Sequence, residues 1–95
     1  MRSISIFGAT GSIGQNTLDL VRRDRHSYKL IAMTGGRNIA QLIRDAHEFQ
    51  PDLVVTAFPE LLSELTDGVV GLGIETTAGE VAISDAADRP ADWVM

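Results

Sequence analysis

Apolar residues along this chain fall into short runs whose spacing switches between strand-like and helix-like periods. Ile4, Ile6 and Phe7 form a β-branched and aromatic run that stops at Gly8-Ala9-Thr10-Gly11-Ser12-Ile13-Gly14, the composition of a buried strand ended by a glycine-rich turn. Ile13, Thr17, Leu20 and Val21 then recur at helical spacing, with Gln15, Asp19, Arg22 and Arg23 at the intervening positions. This predicts an amphipathic helix ending near Arg23. Ser12, with Gln15 three residues later, has the form of a capping box at its start.

Tyr28 to Met33 has strand composition and Gly35-Gly36 ends it. Asn38 is placed to cap a helix whose apolar face is Ile39, Leu42, Ile43 and Ala46, with Gln41 at the reciprocal capping position and Pro51 forbidding continuation past Phe49. Asp52 to Val55 is a third strand, and Pro59 stands at the first turn of a short helix through Leu65. Gly68 to Gly73 is glycine-spaced, Ile74 to Thr77 reads as a fourth strand, Glu80 to Ala87 as a helix, and Asp92 to Met95 as a fifth strand. Strands alternating with helices of crossover length imply a mainly parallel sheet with helices on both faces, a doubly wound, Rossmann-like α/β fold. No repeat or linker divides the chain.

Composition narrows the partners. Ninety-five residues, 44% of them hydrophobic, make one core. A net charge of −5, with basic residues adjacent only around Arg22, Arg23 and Arg25, argues against nucleic acid, which needs an extended basic surface. It does not argue against an anionic cofactor held by a helix N-terminus. Cysteine is absent, which removes disulfides and thiolate metal sites. With no run near the roughly 20 apolar residues of a membrane span, and no basic leader before the first strand, cytoplasm is the expected location.

The glycine loop carries the candidate chemistry. Gly8, Gly11 and Gly14 lie between a strand and a helix. One glycine allows the tight turn, the next lets backbone approach a diphosphate, and the third lets helix pack on sheet. The N–H groups from Thr10 to Ile13 are expected to face the diphosphate, with Thr10 and Ser12 adding hydroxyls. No Gly-Lys-Ser or Gly-Lys-Thr follows, so a P-loop is disfavoured. A merely flexible connection is the bland alternative, and the strand-loop-helix context argues against it.

An NAD-binding domain usually places an acid about 20 positions beyond such a loop. Here Thr34-Gly35-Gly36-Arg37-Asn38 contains none. A guanidinium at Arg37 suits the 2′-phosphate of NADPH, and such a charge-assisted bond is worth roughly 1.5 to 3 kcal/mol, about one to two powers of ten in affinity. Asn38 can cap its helix and donate to the same phosphate, and Gly36 lets the backbone come close. Most arginines are solvated surface charges; the upstream loop and the missing acid favour the cofactor role.

These residues resemble a known family. Gly8-Ala9-Thr10-Gly11-Ser12-Ile13-Gly14 followed by Thr17-Leu18-Asp19-Leu20-Val21 is similar to the opening Gly-Ser-Thr-Gly-Ser-Ile-Gly and Thr-Leu-Asp-Val-Val of the 1-deoxy-D-xylulose 5-phosphate reductoisomerase family, with Ala9 where serine is usual. Thr34-Gly35-Gly36-Arg37-Asn38 resembles its Ala-Gly-Lys/Arg-Asn segment that holds the 2′-phosphate, and Phe49 to Val55 and Ala91 to Met95 are similar to later strands and their approaches. The resemblance implies an NADPH-dependent oxidoreductase of non-mevalonate isoprenoid synthesis, homodimeric as a whole protein. It uses a divalent metal, Mg or Mn, to rearrange and reduce 1-deoxy-D-xylulose 5-phosphate to 2-C-methyl-D-erythritol 4-phosphate. It also implies that residues 1–95 are an incomplete N-terminal NADPH-binding domain, with the metal ligands, catalytic residues and further domains beyond Met95, so that the chain alone is expected to be inactive.

Two rivals stand beside this reading. A short-chain-dehydrogenase-like reductase shares the Gly-Ala-Thr-Gly opening, but needs Tyr-x-x-x-Lys, whereas Tyr28 is followed by Ala32. A non-catalytic NADP-sensing module is compatible with the glycine loop alone. His26 and His47 read as surface or helix-end residues, Glu60, Glu64 and Asp67 as a wet helix face, and Trp93 as core packing.

Overall fold

A computed structural model describes residues 2–95. The strands are β1 (Arg2–Ile6), β2 (Tyr28–Gly35), β3 (Leu53–Thr56), β4 (Glu75–Ala78) and β5 (Trp93–Val94), and the helices are α1 (Ser12–Arg23), α2 (Ile39–Phe49), α3 (Leu62–Gly68) and α4 (Glu80–Ala87). All strand pairs are parallel, in the order β4-β3-β2-β1-β5. The first three crossovers step the same way across the sheet and the fourth returns past β1. Right-handed connection then puts α1, α2 and α3 on one face and α4 on the other. The two cores follow this division. Leu18, Val21, Leu42, Phe49 and Leu65 pack with Ile4 and Ile6, whereas Ala86, Ala82 and Ile83 pack on Ala32, Leu53 and Val55. Leu30 and Met33, three residues apart in β2, share the larger core because pairing with β1 slips one residue between Ile4 and Ser5.

The expected elements form, with shifted edges. β2 runs on to Gly35, β3 and β4 each start and end one residue later than the pattern implies, and a 3-10 turn at Pro59–Leu61 precedes α3, which continues to Gly68. The buried stripe of α1 differs from expectation: Gly14, Leu18 and Val21 face the sheet, while Ile13 and Leu20 are 81% and 63% exposed. The reason is the close seating of Gly14, described below, which turns the helix so that Leu20 instead borders a groove with Thr17, Trp93 and Met95. Trp93 is not core packing either. It is 40% exposed on the edge strand, under the Arg2 guanidinium at 4.6 Å and beside Tyr28 at 6.0 Å between ring centres. His26 and His47 are exposed as expected, His47 Nε2 lying 2.8 Å from the Gly68 carbonyl at the end of α3.

Candidate functional site

β1 is where the strand order reverses, with β2 on one flank and β5 on the other. Such switch points leave a crevice at the carboxyl ends of the strands, and the glycine loop leaves β1 there. Gly8 turns the chain with a φ of 69°, in the left-handed region that glycine enters without steric cost. Its N–H donates to Thr34 Oγ1 at 3.0 Å, and the Ala9 N–H donates to the Thr34 carbonyl at 2.7 Å. Thr34, buried at the end of β2, therefore fastens the loop to the neighbouring strand. Nothing in the glycine pattern pointed to it. A Cβ on Gly14 would lie 2.3 Å from the Gly8 carbonyl oxygen and 2.6 Å from Ala9 Cα, so only glycine allows α1 to begin this close to the loop.

The amides divide. Gly11 is the N-cap residue, and its N–H donates back to the Gly8 carbonyl at 3.0 Å, so it is not open to a ligand as expected. The N–H groups of Thr10, Ser12 and Ile13 have no acceptor among the described residues, and these positions are half-buried or exposed. Three open donors at the positive end of a 12-residue helix are an arrangement that suits an anion. The expected capping box does not form. Ser12 is the first helical residue, no side chain caps α1, and Gln15 turns its amide to the Ala9 carbonyl at 2.9 Å and to Asp45 Oδ2 at 2.8 Å.

A second loop follows β2. Gly35, the last residue of β2, lies beside Leu42 and the Thr10 methyl, whose Cγ2 would be 3.4 Å from a Cβ built there, so the second loop begins next to the first. Thr56 Oγ1 donates to the Gly36 carbonyl at 3.0 Å, and the Ala57 N–H donates to the Gly35 carbonyl at 2.9 Å. Asn38 caps α2 as expected, its Oδ1 accepting from the Gln41 N–H at 3.3 Å; its amide NH2 is left to donate outward. Gln41, instead of bonding back to the cap, donates to Asp45 Oδ1 at 2.9 Å. The Arg37 side chain is 67% exposed, lies 4.0 Å from Glu60 Oε2, and has its guanidinium carbon 3.9 Å from the centre of the Phe58 ring. An ion pair this long and this exposed holds little; the ring fixes the guanidinium plane better than the carboxylate does. Phe58 was not legible as a site residue, because only the pairing of Gly35 with Thr56 brings the end of β3 beside Arg37. Gly8, Thr10, Gly11, Ser12, Ile13 and Gly14 thus lie along one loop and the start of α1, and Gly36, Arg37 and Asn38 lie on a second loop that begins beside it at Gly35.

Residues 4–95 match the family model for 1-deoxy-D-xylulose 5-phosphate reductoisomerase. The chain belongs to this family. Among curated reductoisomerases, that of Ruegeria pomeroyi is 55% identical over all 95 residues and that of Jannaschia sp. 55% identical over 94. The chain spans about a quarter of their length, 24% in each case. Among solved structures, the reductoisomerase from Zymomonas mobilis in complex with NADPH superposes with a TM-score of 0.96 at 39% identity, over 99% of this chain and 25% of that one. A DOX-P reductoisomerase in complex with NADPH, fosmidomycin and magnesium gives a TM-score of 0.91 at 33% identity, over 99% and 24%. The doubly wound fold and the reductoisomerase resemblance are therefore both established for these residues. The family match supports neither the short-chain dehydrogenase nor the sensing module.

Proposed function

We propose that residues 1–95 form part of the N-terminal NADPH-binding domain of a 1-deoxy-D-xylulose 5-phosphate reductoisomerase. The supporting observation is the pairing of two features on neighbouring loops: the open amides of Thr10, Ser12 and Ile13 around the start of α1, and an acid-free second loop presenting Arg37. The residues fit the cofactor. Three unpaired N–H donors match a diphosphate, Gly14 excludes the Cβ that would push the helix away, and Arg37 with the Asn38 amide suits a 2′-phosphate. Gly8 and Gly11 shape the turn, and Gly36 keeps the second loop free of side-chain bulk.

Bound there, NADPH supplies a hydride for reduction. What these residues contribute is binding and orientation, because a hydride donor is useful only when held at a fixed position. The whole protein that carries the segment rearranges and reduces 1-deoxy-D-xylulose 5-phosphate to 2-C-methyl-D-erythritol 4-phosphate with a divalent metal, acts as a homodimer, and works in the cytoplasm. The metal ligands and the catalytic residues of that reaction are assigned outside this segment. Among the described residues no helix is long and apolar enough to cross a membrane.

Titration of the whole protein with NADPH and NADH, before and after Arg37→Ala, tests the reading. Loss of the 2′-phosphate contact should weaken NADPH by about 10- to 100-fold and leave NADH nearly unchanged. An unaltered preference removes Arg37 from the site.

A further inference from the structure

Asp45, on α2, is only 2% exposed, and among the described residues it has no ion pair. Its two oxygens are both used: Oδ2 accepts from Gln15 Nε2 at 2.8 Å and Oδ1 accepts from Gln41 Nε2 at 2.9 Å. The same Gln15 nitrogen also donates to the Ala9 carbonyl at 2.9 Å, inside the glycine loop. A buried carboxyl is costly to maintain, and a fully hydrogen-bonded one fixes the elements that supply its donors. The elements here are α1 with its glycine loop, and α2, whose first turn follows Arg37 and Asn38 directly.

We propose that Asp45, through Gln15, is a positioning residue that sets the separation between the diphosphate loop and the 2′-phosphate loop, and so the preference for NADPH over NADH. This rests on the cofactor reading above. Gln15 cannot reverse its amide to adapt, since both of its neighbours are acceptors. Gln41 is held as well, its Oε1 accepting from Arg44 Nη2 at 3.1 Å. Asn at this position can still keep its one oxygen toward Gln15 and lose only the Gln41 bond within α2, so the substitution that opens the bond between α1 and α2 is Asp45→Leu, which removes both acceptors. A diphosphate-only grip does not use the span between the loops. A ligand held at both ends does.

The test is calorimetric titration of the whole protein with NADPH and with NADH for wild type, D45L, R37A and the double variant. The expected result is about a 10-fold loss of NADPH affinity in D45L, the size of one lost buried hydrogen bond. NADH should change less than about 3-fold, and D45L should cost little further NADPH affinity once Arg37 is gone. Gln15→Met, which removes the α1 donor and leaves the Asp45–Gln41 bond within α2 in place, should show the same reduced preference. Equal losses for both dinucleotides, unchanged NADPH affinity in both D45L and Q15M, or full additivity of D45L with R37A would reduce Asp45 to a structural residue and overturn the inference. A wild type with no NADPH preference at all sinks the cofactor reading itself, and the two failures are thereby distinct.

Discussion

Alanine at Gly14 isolates the close approach on which the glycine loop depends. The added Cβ would stand 2.3 Å from the Gly8 carbonyl oxygen, 2.6 Å from Ala9 Cα and 2.7 Å from the Ala9 carbonyl carbon. All three atoms are backbone, so no side chain can rotate away. Restoring ordinary contact moves the start of α1 by about 1 Å from a loop tied to Thr34 by two hydrogen bonds, an overpacking cost of about 2 to 3 kcal/mol. For a domain of this size that lowers Tm by roughly 8 to 24 °C, and NADPH affinity should fall by about 10-fold or more, because the amides of Ser12 and Ile13 move with the helix. The other two glycines calibrate the argument. Gly8 meets open space but has a φ of 69°, so alanine there pays only the left-handed penalty of about 1 to 2 kcal/mol. Gly11 has an ordinary φ of −77° and a Cβ contact of 3.4 Å, and alanine there should cost below about 1 kcal/mol. Thermal and urea unfolding of the three variants should rank Gly14 as most damaging, then Gly8, then Gly11. If G14A melts within about 2 °C of wild type, or the three are equal, the close-approach account of the loop is wrong.

Two further predictions concern stability away from the loop. Ser5 is fully buried in β1 and its hydroxyl has no hydrogen-bond partner among the described residues, so Ser5→Ala should stabilise the 95-residue chain by about 1 kcal/mol, read as a rise in urea midpoint; a loss of stability would mean that the hydroxyl has a partner. Glu48 grips Arg22 with both oxygens, one of them 2.9 Å from Nη2, and that hydrogen bond, outweighing partial burial, holds its carboxyl below the usual glutamate range. A carboxyl that binds its proton less readily when folded adds stability fully above its unfolded value near 4.3, and loses it as pH falls through the lower native value. Both side chains are more than 40% exposed, which limits the effect to about 1 kcal/mol or less. Glu48→Gln should therefore match wild type in stability at the acid end and fall slightly below it at neutral pH, with the gap narrowing in high salt; a gap independent of pH would contradict the ion-pair assignment.

Local sequence determined the alternating elements, the glycine turn out of β1, the Asn38 cap and the acid-free loop with Arg37, because each depends on residues within a turn or two of one another. The same local reading misjudged α1. Spacing alone offered Ile13 and Leu20 as its inner face and Ser12 with Gln15 as its cap. The true face is set by how near Gly14 comes to Gly8, and Gln15 is claimed by Ala9 and by Asp45, 30 positions away. Strand order, the one-residue slip between β1 and β2, the Thr34 clasp and the placing of Phe58 under Arg37 were decided only by the tertiary structure. These features rest on contacts between residues far apart in the chain. A hydrogen bond or a packed ring of that kind leaves no period in the sequence, since its energy depends on where two backbones meet and not on what lies next to either of them.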